Sequence, residues 1–259
     1  MTDSTATRRR PGLGFPALLR ADLIATTHSA VVLMLNFIVP VVIVVALGRR
    51  GTASALAGTI GGDAFAIALA LTIGLMTSSL FGYSIALARD REAGVFQRLR
   101  LTPTPTWQIM GSRLLLQLAA DVVMTVIVVG VAAVMHHADF GAGRLLLLMV
   151  ISILGAAMFL ALAQALVALV RSAAVVSAVS RFAYIVLLGL GLIGVSGALG
   201  PTVQAVGAWT PVGALINAYA GAGGLTSWGW SSTAGMIAIV GYTVIGVYVG
   251  VKWFSWSTR

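Results

Sequence analysis

Long apolar runs separated by short polar clusters dominate the chain, and the length of the runs carries the structural signal. Crossing roughly 30 Å of hydrocarbon takes about 20 helical residues, and six runs meet or nearly meet that length. They lie at about 30–48, 64–88, 114–135, 145–170, 182–199 and 232–251. Glycines at 48, 58, 61 and 62 blur the first connection, and Asn36 and Pro40 interrupt the first run. That interruption, with no small-residue cleavage site after it, argues against a cleaved signal peptide.

Composition agrees with the pattern. Of the 259 residues, 59% are hydrophobic and 9% charged, with a mean hydropathy of +1.02, whereas a soluble domain carries about 25% charged residues to cover its surface. The expected fold is therefore an all-α membrane protein, one transmembrane domain over 1–259 with six transmembrane helices. Cations outnumber acids 16 to 7. With both termini inside, Arg8, Arg9, Arg10, Arg20, Arg89, Arg91, Arg98, Arg100, Arg113, Arg171, Arg181, Lys252 and Arg259 fall on the cytoplasmic side, and only Arg49, Arg50 and Arg144 outside. Cytoplasmic loops collect Lys and Arg, so the expectation is a multi-pass inner (plasma) membrane protein with both termini cytoplasmic. Orientation and membrane lipid explain the basic charge without nucleic acid.

Three segments outside the runs carry patterns of their own. In the amino-terminal arm, 1–29, Phe15, Leu18, Leu19 and Leu23 form one stripe with Arg20 and Asp22 off it, which predicts an amphipathic helix lying in the cytoplasmic interface. The stretch 200–231 holds no charge and carries Trp209, Tyr219, Trp228 and Trp230 among glycines and prolines. Such aromatics settle at headgroup level, and short broken helices re-entering the outer leaflet before the last helix are expected, with protein covering their backbone. The third segment is the loop Arg89-Asp90-Arg91-Glu92-Ala93-Gly94-Val95-Phe96-Gln97-Arg98-Leu99-Arg100-Leu101-Thr102-Pro103-Thr104-Pro105. It predicts a short cytoplasmic amphipathic helix with Val95, Phe96 and Leu99 on one face. Asp90 and Glu92 favour its amino end, and Pro103 and Pro105 stop it. This pattern suits docking into a groove on another protein, or a solvated connector held by local ion pairs.

Within that loop, the string from Arg91 to Pro103 resembles the R-E-x-G-T-L-E-R-L-x-x-T-P signature that follows the second span of type-two ABC exporter permeases, a family that includes daunorubicin-type drug-resistance and polysaccharide-export permeases. Trp209-Thr210-Pro211-Val212-Gly213 is similar to its N-P segment before the last span, although Val95 replaces the usual threonine and Thr210 the usual asparagine. The resemblance implies that the loop is a coupling helix seated in a cleft of a separate ATPase, with Arg91, Glu92, Gly94, Val95, Phe96, Arg98, Leu99, Thr102 and Pro103 as the coupling residues. It implies two copies of a cytoplasmic ABC ATPase, a second permease copy in a homodimer, and an amphipathic drug-like or lipid-like cargo, with antibiotic resistance as the corresponding trait. The chain has no G-x-x-x-x-G-K-[ST], its one lysine being Lys252 between Val251 and Trp253. ATP and Mg are therefore expected on the partner, with no cofactor on this chain and no catalytic residue of its own.

Asp121 is the one acid deep in a run, and an intramembrane acid is a functional candidate by default, unless Arg113 or Arg181 snorkels toward it and makes a structural pair. Asn36, Pro40, Gln164, Trp209 and Pro211 join it as candidates for a substrate path, or as groups that satisfy neighbouring backbone. His136, His137 and Asp139 read as a solvated outer loop rather than a metal site. Gly74, Ser78, Gly82 and Ala86, and Gly246 with Gly250, have the spacing of close helix contacts. Alternative functions are an ion-coupled secondary carrier using Asp121, a polysaccharide-exporting permease, and, poorly supported because His28, His136 and His137 lie at or beyond span ends, an intramembrane serine protease.

The orientation has a direct check, since the chain has no cysteine. A cysteine replacing Arg98 is expected to resist an impermeant thiol reagent added outside intact cells, and one replacing His137 to react. Labelling at 98 from outside would invert the topology.

Overall fold

The computed structural model describes residues 16, 19–20, 23–24, 34–50, 62–95, 97, 106–136, 141–197, 199–224 and 227–253. Among these, the regular structure is entirely helical. The elements are α1 (Val39–Arg50), α2 (Gly62–Leu75), α3 (Tyr83–Glu92), α4 (Thr106–His136), α5 (Ala142–Leu169), α6 (Ala173–Ser196), α7 (Pro201–Gly207), α8 (Pro211–Ala222) and α9 (Trp230–Trp253). Five rods are long and apolar enough to cross a membrane: Phe65–Glu92, Gln108–Met135, Ala142–Leu169, Ala173–Ser196 and Trp230–Trp253. The first apolar run gives a shorter apolar helix, Asn36–Leu47.

Two π-helical turns interrupt the ladder. One, Met34–Ile38, leads into α1. Pro40 follows it, and because proline has no N–H, the carbonyl of Asn36 loses its usual partner four residues on. The other, Met76–Gly82, joins α2 to α3 in a single rod. Its two cap residues, Leu75 and Tyr83, both have ordinary helical dihedrals, so the rod continues through the wider turn without a break.

That rod is the axis of the bundle. Residues 65–80 are all buried, with α1, α4, α5 and α8 packed around α2 and with α6 reaching the π turn. The outer helices turn large apolar side chains away from it, including Val126 and Val134 on α4, Phe182 and Ile185 on α6, and Val244 and Val251 on α9. Gly74 lets α1 and α4 approach: a Cβ there would lie 2.8 Å from Pro40 and 2.9 Å from Met124. The small-residue spacing from Gly74 to Ala86 does not form one face, because the π turn rotates the register and Ala86 is exposed. Gly246 instead serves contact within the chain, where a Cβ would lie 2.7 Å from the backbone of Ala161, and Gly250 packs beside Gln164.

At the far end of α6 the chain folds back. Gly197 and Gly200 take positive φ values of 65° and 93°, open to glycine with little strain, and Pro201 starts α7 where a missing N–H is harmless. The backbones of Gly194 and Gly207 then pass in direct contact, and Gly191 meets Val212. Thr210 turns the chain again as the N-cap of α8. Its hydroxyl donates to the Gly207 carbonyl (2.7 Å) and accepts from the Gly213 amide (3.1 Å), so it does the capping that asparagine would do at this position. From there α8 runs past Gly155 and Gly235 to Gly224, which lies against Arg144 at the start of α5. All of α8 is buried except Asn217.

Several helix bounds differ from the sequence expectation, each time at a charged residue. α6 starts at Ala173 rather than 182, and α4 at Thr106 rather than 114. Arg181 and Arg113 therefore lie within helices, as long cations can, and the expected 171–181 connection shrinks to 170–172. Asp90 and Glu92, expected at the amino end of a separate helix, lie in the last turn of α3. Of the amino-terminal arm, Pro16, Leu19, Arg20, Leu23 and Ile24 are helical, and the rest lies outside the described residues, as do His137 and Asp139.

The Gly194–Gly207 contact gives a test. Gly207→Ala is expected to lower stability in detergent by about 1–3 kcal/mol through overpacking. Gly189→Ala, where nothing lies within 4 Å of the added Cβ, should leave thermal unfolding unchanged or shift it upward by up to about 1 kcal/mol.

Candidate functional site

The last turn of α3 ties three helices together. Asp90 accepts a salt bridge from Arg113 of α4 at 2.5 Å. Arg91 is 4% exposed, and its guanidinium donates to the Val167 carbonyl (2.6 Å) and to those of Val170 (2.6 Å) and Arg171 (2.7 Å). These are the carbonyls left open where α5 ends, and a cation there complements the helix dipole. Glu92 accepts from the Ala173 amide at 2.5 Å. Ser172, the N-cap residue of α6, makes no capping bond, so a carboxylate from another helix does the work on an amide that needs an acceptor. Two residues after Glu92, Gly94 with φ +69° ends α3 in a left-handed cap, its amide bonded to the Arg91 carbonyl at 3.1 Å.

A second cluster lies midway along the rods. Asp121 is 1% exposed and about 22 Å from Thr106 at 1.5 Å per residue. Ser78 donates to one of its oxygens, Ser79 to the other at 2.5 Å, and Gln117, one turn earlier on α4, donates to Ser78 at 2.6 Å. Two neighbouring serines reach one carboxylate from the π turn, a feature that often accompanies functional sites. The same turn binds α6 through Thr77 and Tyr184 (3.1 Å), while Ser84 and Ser180 (2.9 Å) join α3 to α6 and Ser152 and Tyr219 (2.8 Å) join α5 to α8. The arginine expected to snorkel toward Asp121 does not: Arg113 binds Asp90 and Arg181 is exposed.

The remaining path candidates do not meet. Asn36 and Pro40 are buried on the α1 side of the axis, near α2 and α4. Gln164 reaches Tyr83 at 3.3 Å toward the other end of α5. Pro211 is buried at the start of α8, and Trp209 is exposed beside a cavity of about 290 Å³ bordered by Gln204, Asn217 and Trp230. Among the coupling candidates, Arg91 is buried, Glu92 exposed, and Gly94 and Val95 half-buried. Phe96, Arg98, Leu99, Thr102 and Pro103 lie outside the described residues. Sequence reasoning missed Ser79, Gln117 and the Asp90–Arg113 pair. Gln117 and Asp121 stand at i and i+4 on one helix face, a signal that was available. The other contacts join separate helices, and no local spacing announces them.

Comparison with known proteins gives the family. Residues 14–222 match the model of the ABC-2 type transporter family, from the amino-terminal arm to the end of α8. The chain belongs to that family and is a multi-pass membrane component of a transport system. No curated protein matches the chain.

The central cluster is testable apart from transport. Asp121→Ala removes the acceptor of two buried serines, and each hydroxyl left without a partner costs about 1–3 kcal/mol. Asp121→Asn keeps an acceptor and should lose less. Thermal unfolding in detergent should rank parent, then Asn, then Ala; equal stability of all three would show that the cluster holds nothing together.

Proposed function

We propose that this chain is the permease subunit of an ATP-driven exporter, a six-span protein of the plasma membrane with both termini cytoplasmic. Two copies work with two copies of a separate ATPase that binds ATP and Mg. Family membership supports the transport role, and the lack of any P-loop around Lys252 supports a separate source of hydrolysis. The observation that carries the reading is the placement of the loop after Gly94. It leaves α3 at the point where α4, α5 and α6 are all bound, so a partner seated on it would act on four helices at once. Val95, Phe96, Arg98, Leu99, Thr102 and Pro103 are the residues we assign to the ATPase cleft, Phe96 and Leu99 as the apolar knob and Arg98 at its charged edge.

The short helix Asn36–Leu47 counts as the first of the six spans, its buried Asn36 and Pro40 set against the axis. We assign α7 and α8 to a re-entrant pair on the outer side. α7 runs back along α6, α8 returns to the start of α5, and the neighbouring surface carries Trp209, Trp228 and Trp230, all exposed, as residues at headgroup level are. The cargo we favour is amphipathic and drug-like or lipid-like, in keeping with the daunorubicin-resistance branch. The apolar outer faces of α4, α6 and α9 support lipid-side access over a long aqueous conduit.

The test uses the ATPase that copurifies with the tagged chain from its own cells. The permease alone in nanodiscs should show no ATP turnover. Phe96→Ala should weaken its association with that ATPase by about 1–4 kcal/mol while expression and detergent extraction stay at the parent level. Turnover by the lone chain, or full association of the variant, would defeat the assignment.

A further inference from the structure

Asp90, Arg91 and Glu92 are successive residues of one helix, so their side chains leave it about 100° apart. Each meets a different helix: α4 through Arg113, the carboxyl end of α5 through three carbonyls, and the amino end of α6 through the Ala173 amide. We propose that this triplet is a mechanical hub of positioning residues, binding the coupling loop to the α5–α6 turn so that loop and turn move as one body and a force on the loop reaches α4, α5 and α6 together. The proposal rests on the exporter reading for the source of the force, and on the geometry alone for the clasp itself.

The geometry separates this role from docking. A guanidinium that is 4% exposed and gives three bonds to internal carbonyls faces its own chain. Two groups of opposite charge on adjacent residues reach two helix ends of opposite dipole, the positive one at the carboxyl end of α5 and the negative one at the amino end of α6. The turn they span, 170–172, is three residues long, so neither helix end can move far from the other. On the loop side, Gly94 closes α3 two residues after Glu92, and the Asp90–Arg113 bridge holds α4 about two turns from its start.

The test has one arm on the permease alone and one on its complex. In nanodiscs, hydrogen exchange of the amides at 173–176 should run about five- to tenfold faster in Glu92→Ala, the effect of losing a helix cap. In Glu92→Gln, whose side-chain oxygen still accepts from Ala173, exchange should stay near the parent rate. In the complex with the copurifying ATPase, cysteines replacing Gln97 and Val175, both exposed, carry spin labels. Their separation should be the same in the nucleotide-free and vanadate-trapped states of the parent, and should differ between those states once Arg91→Met and Glu92→Ala are combined. A parent separation that changes with nucleotide, or a double variant whose separation does not, overturns the hub. So does unaltered exchange at 173–176 in Glu92→Ala. If Glu92→Gln loses ATPase association as fully as Glu92→Ala, the carboxylate is a docking charge and the hub is overturned on that side too. Failure of any ATPase to copurify would instead strike the exporter reading, leaving the exchange arm to decide the clasp.

Discussion

Hydrocarbon as solvent removes the force that holds soluble bundles together, because a leucine gains little by leaving lipid for protein. Helix association must then come from close backbone approach and from polar bonds between helices. Both devices concentrate on the α2–α3 rod and its neighbours. Gly74 admits α1 and α4. The π turn sends Thr77 to α6 and Ser78 with Ser79 to Asp121 of α4, and the last turn of α3 sends charged groups to α4, α5 and α6. A rod with neighbours on several sides can use successive residues this way, since steps around the helix reach different neighbours.

The two ends of the bundle solve the backbone problem by different chemistry. Where α5 ends and α6 begins, the open carbonyls and amide are met by full charges, the buried Arg91 and the exposed Glu92. Where α6 ends, no charge takes part. Gly194 and Gly207 bring backbones into contact, Thr210 supplies the cap with a hydroxyl, and Gly197 and Gly200 make the tight turn between α6 and α7. Backbone at membrane depth must find its partners within the protein. The near-complete burial of α8 is the same constraint met by a short helix.

Much of this was legible in the sequence, and the limits follow from what hydropathy measures. Run length located the apolar helices, and the Gly246–Gly250 spacing pointed to a close contact that turned out to lie within the chain, against α5. Hydropathy does not give the bounds of α4 and α6, because Arg113 and Arg181 end the apolar runs, although a long cation can lie inside a helix and still reach water. The triplet Asp90-Arg91-Glu92 was visible as charge, but its meaning was not. The partners of Arg91 and Glu92 are backbone groups at 167–173, and backbone groups have no sequence signature, while Asp90 meets the side chain of Arg113 on another helix. Asp121 could be recognised as unusual, while its serine partners could not, because they lie on another helix and a π turn brings both to one carboxylate.

α6 belongs to both ends of the bundle, and this gives the asymmetry a mechanical consequence. Its first amide is held by Glu92, Ser180 bonds Ser84 of α3, Tyr184 bonds Thr77 on the π turn, and Gly191 and Gly194 carry α8 and α7. A helix of this kind is about 36 Å long at 1.5 Å per residue and has no proline within Ala173–Ser196 to absorb a bend. The three contacts along its first half, one charged and two between hydroxyls, fix it to the α2–α3 rod at successive levels. The contacts on its last turns are glycine packing, which gives way more readily to sliding than a charged bond does. On the proposed reading, a displacement entering at the α5–α6 turn would travel along α6 with the axis and be released at its far end, among α7, α8 and the tryptophans, where the structure is least bound by charge.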